Sequence, residues 1–199
     1  MIPVQPQNEP PCFDRNVRRK GLDWLRKNGL SISGPIPAGV ALHPYWKDCL
    51  KELHTAYGGV CAYACMYIHP VTGSRSVEHF VAKSRDLGLA YEWSNYRLAC
   101  GKMNSRKRDF SDVLDPFLLA EGTFHLDLAT GSIYANPSLG AAAMQDACDT
   151  IMRLSLDDAE CRKARTDCYD SYIQGHISSS YLKKENPFVW KEAERQGLL

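Results

Sequence analysis

The sequence has no apolar run of the length a membrane span needs, no internal repeat and no low-complexity tract. A transmembrane helix takes about 20 consecutive apolar residues, so no span is expected. It also has almost no net charge: 24 Lys and Arg against 23 Asp and Glu leave +1. That excludes the global basic field of a protein that coats nucleic acid. Any phosphate-facing charge must be local or come from a partner. Residues 1–11 are polar and proline-rich, with neither the basic start nor the apolar centre of a secretory leader. The eight cysteines do not fall in the paired spacings of a disulfide scaffold. Reduced thiols and a cytoplasmic location are the expectation.

What is present suits one domain, or a small core with appended helices. The chain has 199 residues, 44% of them hydrophobic, enough for an ordinary packed core. Pro3, Pro6, Pro10 and Pro11 make residues 1–13 an extended arm, either loose or laid along a partner. Asp14 is placed to cap a helix over 15–28 that Gly29 stops. Its apolar side is Val17, Leu22, Trp24 and Leu25, although Gly21 weakens it. Arg15, Arg18, Arg19, Lys20, Arg26 and Lys27 give it either a solvated face or a surface for nucleic acid or an acidic partner. Gly34, Pro35, Pro37 and Gly39 mark 29–43 as an irregular wrap. A helix over 44–57 should follow, with Trp46, Leu50 and Leu53 inward and Gly58-Gly59 as its end.

Residues 60–68 (VCAYACMYI) are rich in β-branched and aromatic types and predict a strand. A turn at 69–74 leads to a partner strand at 75–80. A loop over 82–93 precedes a helix within 95–108 that breaks near Gly101. Downstream, 123–128 and 132–135 predict a hairpin. Helical spacing predicts helices over 138–154 and from 155 or 157 to about 173, with a weaker stretch at 187–195. The fold class is α+β: a ββα unit in a mostly helical scaffold. The expected division is 1–57 (arm and helices for scaffold or docking), 58–118 (core) and 119–199 (hairpin plus helices).

Residues 77–109 carry the chemistry, in the order E-H-x15-N-x8-N-x2-K. Cleaving a phosphodiester at neutral pH requires water to be activated, the leaving oxygen stabilised and the phosphate charge screened. His79 is the candidate general base. Glu78 and Asn104 offer a carboxylate and an amide oxygen for one Mg²⁺ or Mn²⁺. Asn95 can pin the loop or orient His79. Lys107, one turn after Asn104, lies on the same helix face and can reach the scissile phosphate. Adjacent residues on a regular strand face opposite sides. Glu78 and His79 therefore share a site only if the strand ends or bulges there, or if base and metal flank the phosphate. Taken singly, each residue has a plainer explanation: a structural histidine, an Asn95 helix cap, a solvated Lys107. Lys83, Arg85, Arg97, Lys102, Arg106, Lys107 and Arg108 crowd the motif as a local phosphate-facing patch. Tyr91, Trp93 and Tyr96 could stack on a base, but packing under the loop is the simpler role.

The run S-V-E-H-F-x-A-K-S, then A-Y-E-W-S-N-Y-R-L-A-C-x-x-M-N-S-R-K, resembles the catalytic core of HNH (ββα-metal) endonucleases. Within them it is similar to the small nuclease subunits of Septu-type and retron-associated anti-phage pairs. Outlying similarities are F-D-x-x-V-R-x-x-G at 13–21, L-D-P-F at 114–117 and T-I-x-x-L-x-L-D at 150–157. The resemblance implies a nuclease with His79 as base, Glu78 and Asn104 at the metal, and an ABC/SMC-like ATPase as partner in a hetero-oligomer. Two positions depart from many relatives: Glu78 replaces aspartate, and Asn104 replaces the last histidine. With Lys107 following, the second departure is like the HNH domains of RNA-guided nucleases. Many relatives also clamp the unit with zinc on two C-x-x-C pairs. Here Cys61 and Cys65 are four apart, roughly 13 Å on a strand, and Met103 stands where the second pair would end. Buried thiols are expected instead of structural zinc.

DNA is the favoured substrate. The same site could act on RNA such as a tRNA, although nothing in the sequence reads a 2′-hydroxyl. A non-catalytic nucleic-acid-binding subunit, or one that docks on an ATPase through the basic helix or the polar tail, is the other alternative.

Overall fold

The computed structural model describes the whole chain, Met1–Leu199. It is a mixed α+β fold with a mostly helical scaffold and two small antiparallel sheets. The chain divides into two compact units, each assembled from separate stretches: Pro6–Gly59 with His69–Ser111, and Met1–Gln5 with Val60–Ile68 and Asp112–Leu199. The first contains the His79 stretch.

In that unit a π-helical turn, Asp14–Arg18, runs into α1 (Arg19–Lys27). Asp14 does not cap it. The helix begins after Phe13, whose ring is buried edge-on against Trp93 at 5.5 Å and Tyr96 at 5.7 Å. That anchor draws the helix start back one residue and leaves Asp14 to pair with Arg18 and Arg19. Much of the basic face is matched within the unit: Arg18 also with Glu9 and Glu92, Lys20 with Asp48 at 3.1 Å, and Arg26 with Asp23 at 2.9 Å.

Gly21, a weak point in the sequence pattern, is explained by the Tyr91 ring, which lies where a Cβ would stand. That ring is buried, and its hydroxyl donates to the His43 carbonyl at 2.8 Å, so it has little room to shift. Gly21→Ala gains up to about 1 kcal/mol of helix propensity. Overpacking typically costs ~1–3 kcal/mol, and the clash should win. A lower denaturant midpoint is expected; an unchanged midpoint would mean that Tyr91 moves aside freely.

A 3₁₀ turn, Tyr45–Cys49, leads into α2 (Leu50–Ala56), which buries Leu53 completely. β1 (Arg75–His79) then pairs antiparallel with β2 (Tyr96–Cys100), and α3 (Gly101–Lys107) follows directly. This corrects the expected strand pair. Residues 60–68 are not a strand and do not pair with β1. Cys65 sits at φ 55°, its N–H donates to the Cys61 carbonyl at 2.9 Å, and only an isolated Val60–Tyr67 bridge forms. The second strand lies instead within the stretch expected to be helical. Tyr96, Arg97, Leu98 and Ala99 are all buried, so both faces are covered and no alternation marks the strand in sequence. Gly101 is where the helix starts. Its N–H donates to the Ser74 carbonyl, and a Cβ there would meet Ser74 Oγ at 2.6 Å.

The second unit holds the expected hairpin, β3 (Phe124–Leu126) with β4 (Ile133–Ala135). Four helices follow: α4 (Ala141–Leu154), α5 (Ala159–Ile173), α6 (Ser179–Glu185) and α7 (Pro187–Arg195). Asp158, Ser178 and Asn186 cap the last three through side-chain oxygens, each accepting a backbone N–H. The first residues are extended but not loose: Met1 is buried, and Val4 donates to the Pro116 carbonyl at 2.8 Å. The buried Arg165 ties α5 to the hairpin turn through the Gly131 carbonyl at 2.8 Å and to the α4–α5 link through the Leu156 carbonyl at 2.7 Å. No helix is long and apolar enough to cross a membrane.

Candidate functional site

β1 ends at His79, and this is what lets two adjacent residues share a site. Glu78 and His79 both border one cavity of about 460 Å³, and Asn104 of α3 borders it too. Lys83, Arg108 and Asp109 complete the polar lining. Trp46, with Ile36, Val40 and Leu42 from the irregular wrap, makes the apolar wall.

The His79 tautomer follows from its partners. Nε2 lies 2.9 Å from the Ala90 carbonyl. A carbonyl can only accept, so Nε2 carries the hydrogen and Nδ1 keeps the lone pair. Lys83 Nζ stands 3.4 Å from Nδ1 and 4.8 Å from the centre of the Trp46 ring. The imidazole meets Trp46 and Tyr96 edge-on at 4.9 and 5.0 Å. Burial, reinforced by the Lys83 ammonium and only partly opposed by the Ala90 carbonyl, pulls its pKa down to about 3. His79 is therefore neutral at physiological pH, the state a general base needs. Burial likewise lowers the Lys83 pKa, with the Glu78 carboxylate acting against it.

Asn95 fixes the loop that presents Ala90. Its side-chain oxygen accepts from the Val81 N–H at 2.8 Å, and its amide donates to the Val81 and Leu89 carbonyls, both at 3.0 Å. Of the two roles open to it in sequence it performs loop pinning, and it reaches His79 only through the placement of Ala90. Tyr91, Trp93 and Tyr96 pack beneath the loop and are buried. Trp93 Nε1 donates to the Gln7 carbonyl at 2.8 Å, and the Tyr96 hydroxyl donates to Ala90 O at 2.9 Å.

Lys107 is placed differently from the sequence expectation. It is wholly buried, donates to the Phe80 carbonyl at 3.1 Å and the Phe110 carbonyl at 2.7 Å, and lies 3.6 Å from Glu78 Oε1. An ammonium has three hydrogens. Two go to carbonyls and its charge is matched by the carboxylate, so it holds the site together from behind. Arg97 is also interior, donating to the Ser94 and Tyr96 carbonyls at 2.8 and 3.1 Å with its guanidinium over Phe80. Lys102 and Arg106 are half-buried on α3, outside the cavity lining. Of the seven basic residues that crowd the motif in sequence, Lys83 and Arg108 border the cavity. Arg108 does so from a strained backbone, φ 48° and ψ −126°, a conformation that costs a non-glycine residue of order 1–3 kcal/mol.

Sequence reasoning missed the contribution of Trp46, read only as a core residue, and of Asp109. Neither has a local signal, since the chain brings them to His79 from outside the motif or past its end. Glu78 and Asn104 supply hard oxygen donors, and this chemistry fits a magnesium-class ion that keeps most of its own water. No group of three or more His, Cys, Asp and Glu side chains gathers as a metal cage. Cys61 and Cys65 lie on one turn, not along a strand, and both are buried. No family model matches this chain, and no curated protein matches it in sequence.

Proposed function

We propose that the chain is a metal-dependent endonuclease subunit of the HNH type that hydrolyses nucleic-acid phosphodiesters, with DNA favoured and an ABC/SMC-like ATPase as partner in anti-phage defence. One observation carries the reading. A buried histidine, its tautomer fixed by Ala90 so that Nδ1 keeps its lone pair, borders a cavity that a carboxylate and an amide also border. The ATPase partner and the defence setting rest on the sequence resemblance.

In this mechanism Nδ1 takes the proton from a water in line with the scissile bond. Its basicity rises when the phosphodiester enters, because an anion beside the ring favours imidazolium. The same anion draws Lys83 away from Nδ1. Glu78 and Asn104 would hold the metal ion, which when bound stabilises the leaving 3′-oxygen. Lys107 keeps Glu78 in place. Asn95 keeps the Ala90 carbonyl against Nε2–H, and Trp46 shields the ring from bulk water.

The test is purified protein, with and without the product of its neighbouring gene, on plasmid DNA and total RNA in Mg²⁺ or EDTA. Mg²⁺-dependent loss of DNA, leaving 5′-phosphate and 3′-hydroxyl ends, is expected. Loss of RNA alone would keep the site and change the substrate. Metal-independent RNA ends bearing cyclic phosphate would replace activated water with attack by the 2′-hydroxyl. No cleavage in any arm would make the chain a binding or docking subunit.

A further inference from the structure

The cavity holds more positive charge than its own acids use. Glu78 is paired from behind with Lys107, and Asp109 borders the same cavity as two further cations, Lys83 and Arg108. Neither cation forms an ion pair: Glu78 acts on Lys83 only as a charge at longer range, and no carboxylate contacts Arg108. The nearest polar contact of Lys83 is the neutral imidazole of His79 at 3.4 Å. The Arg108 guanidinium is exposed and makes no hydrogen bond or ion pair. Its backbone is the second observation. Arg108 ends α3 at φ 48°, in the region that favours glycine. Arg108 thus borders the cavity from a backbone conformation that a glycine would adopt without strain.

We propose that Lys83 and Arg108 form a phosphate subsite of this cavity, in which the Arg108 fork takes two non-bridging oxygens of a nucleic-acid backbone and Lys83 moves from His79 Nδ1 to the same phosphate. The identity of the ligand rests on the nuclease reading; the two cations do not. Planar bidentate contact is what arginine supplies and lysine does not. The role expected of Lys107 in sequence therefore falls to its neighbour, which faces the other way. Lys83 then has two positions: against Nδ1 in the empty site, and on phosphate when the strand is bound. A single residue thus couples arrival of the substrate to release of the base.

The test separates binding from cleavage. A fluorescein-labelled oligonucleotide, as DNA and as RNA, is titrated in EDTA by anisotropy against wild type, Arg108→Gly, Arg108→Lys and Lys83→Met, each also followed by thermal unfolding. Arg108→Gly is expected to raise the melting temperature by relieving the turn and to weaken binding about 10-fold. Arg108→Lys should bind between the two. Lys83→Met should weaken binding and lower the salt slope by roughly one unit. Wild-type affinity in Arg108→Gly overturns the subsite, as does a wild type that binds neither oligonucleotide. The two readings fail separately. A protein that never cleaves but loses binding with Arg108 keeps the subsite and loses the nuclease. A protein that cleaves with Mg²⁺ yet ignores Arg108 keeps the nuclease and loses the subsite.

Discussion

His79→Ala is expected to lower Mg²⁺-dependent cleavage by about 10²–10⁴-fold, the range general base catalysis supplies. The ring is buried between Trp46 and Tyr96, so alanine also leaves a hole. His79→Gln controls for this. The glutamine amide can still donate to the Ala90 carbonyl, fills more of the space and offers no base. Both variants should be inactive, and the glutamine form should melt closer to wild type. Cleavage by His79→Gln within a few-fold of wild type would remove His79 from the chemistry. The pH dependence of stability carries a further signature. The folded protein holds the imidazole neutral down to about 3, below its ordinary 6.5. Between those values the unfolded chain takes up a proton that the folded chain refuses. Stability therefore falls as the pH drops from 6.5 toward 3, and this contribution is flat above 6.5. His79→Gln should lose less stability across that window than wild type does.

The order of the motif was legible because it is local. Glu78, His79, Asn95 and Asn104 lie within a short stretch, and a strand that stops at its histidine brings two neighbours to one cavity. Burial was not legible. Lys107 inside S-R-K-R has the sequence appearance of a solvated or phosphate-seeking charge. What turns it inward is the pair of carbonyls at Phe80 and Phe110 together with the Glu78 carboxylate. No spacing rule counts main-chain acceptors that the fold has yet to assemble.

The same contrast runs through the fold. Helix α5, expected from 155 or 157 and capped by Asp158, and the hairpin around Gly131 have signals in the chain itself. Strand β2 has none, because every residue from Tyr96 to Ala99 is buried and period two never shows. Residues 60–68 carried the composition of a strand but turn at Cys65. Composition describes what a segment can become, and partners decide. Helix α6, polar in composition, escaped for the related reason that its one fully buried side chain, Leu182, leaves little periodicity to find.

The largest effect on stability is expected at Lys107. Removing one member of a buried ion pair typically costs 3–5 kcal/mol, roughly the cost of leaving the other charge in low dielectric. Lys107→Met keeps the length and apolar stem of the side chain but deletes the ammonium. The Glu78 carboxylate, almost fully buried, then loses a cation at 3.6 Å, and two main-chain carbonyls lose a donor. A fall in melting temperature of roughly 6 °C or more is expected. Glu78→Gln/Lys107→Met should recover part of it, since the double change removes both charges. Recovery without activity is the outcome that separates the two roles of Glu78. The pair stabilises the unit through its neutralised charge, whereas the reaction needs the carboxylate itself. A single Lys107→Met variant that unfolds within 1 kcal/mol of wild type would show that the carboxylate is relieved in another way, by taking up a proton or reaching water. In that case Lys107 would not be what holds Glu78 at the cavity.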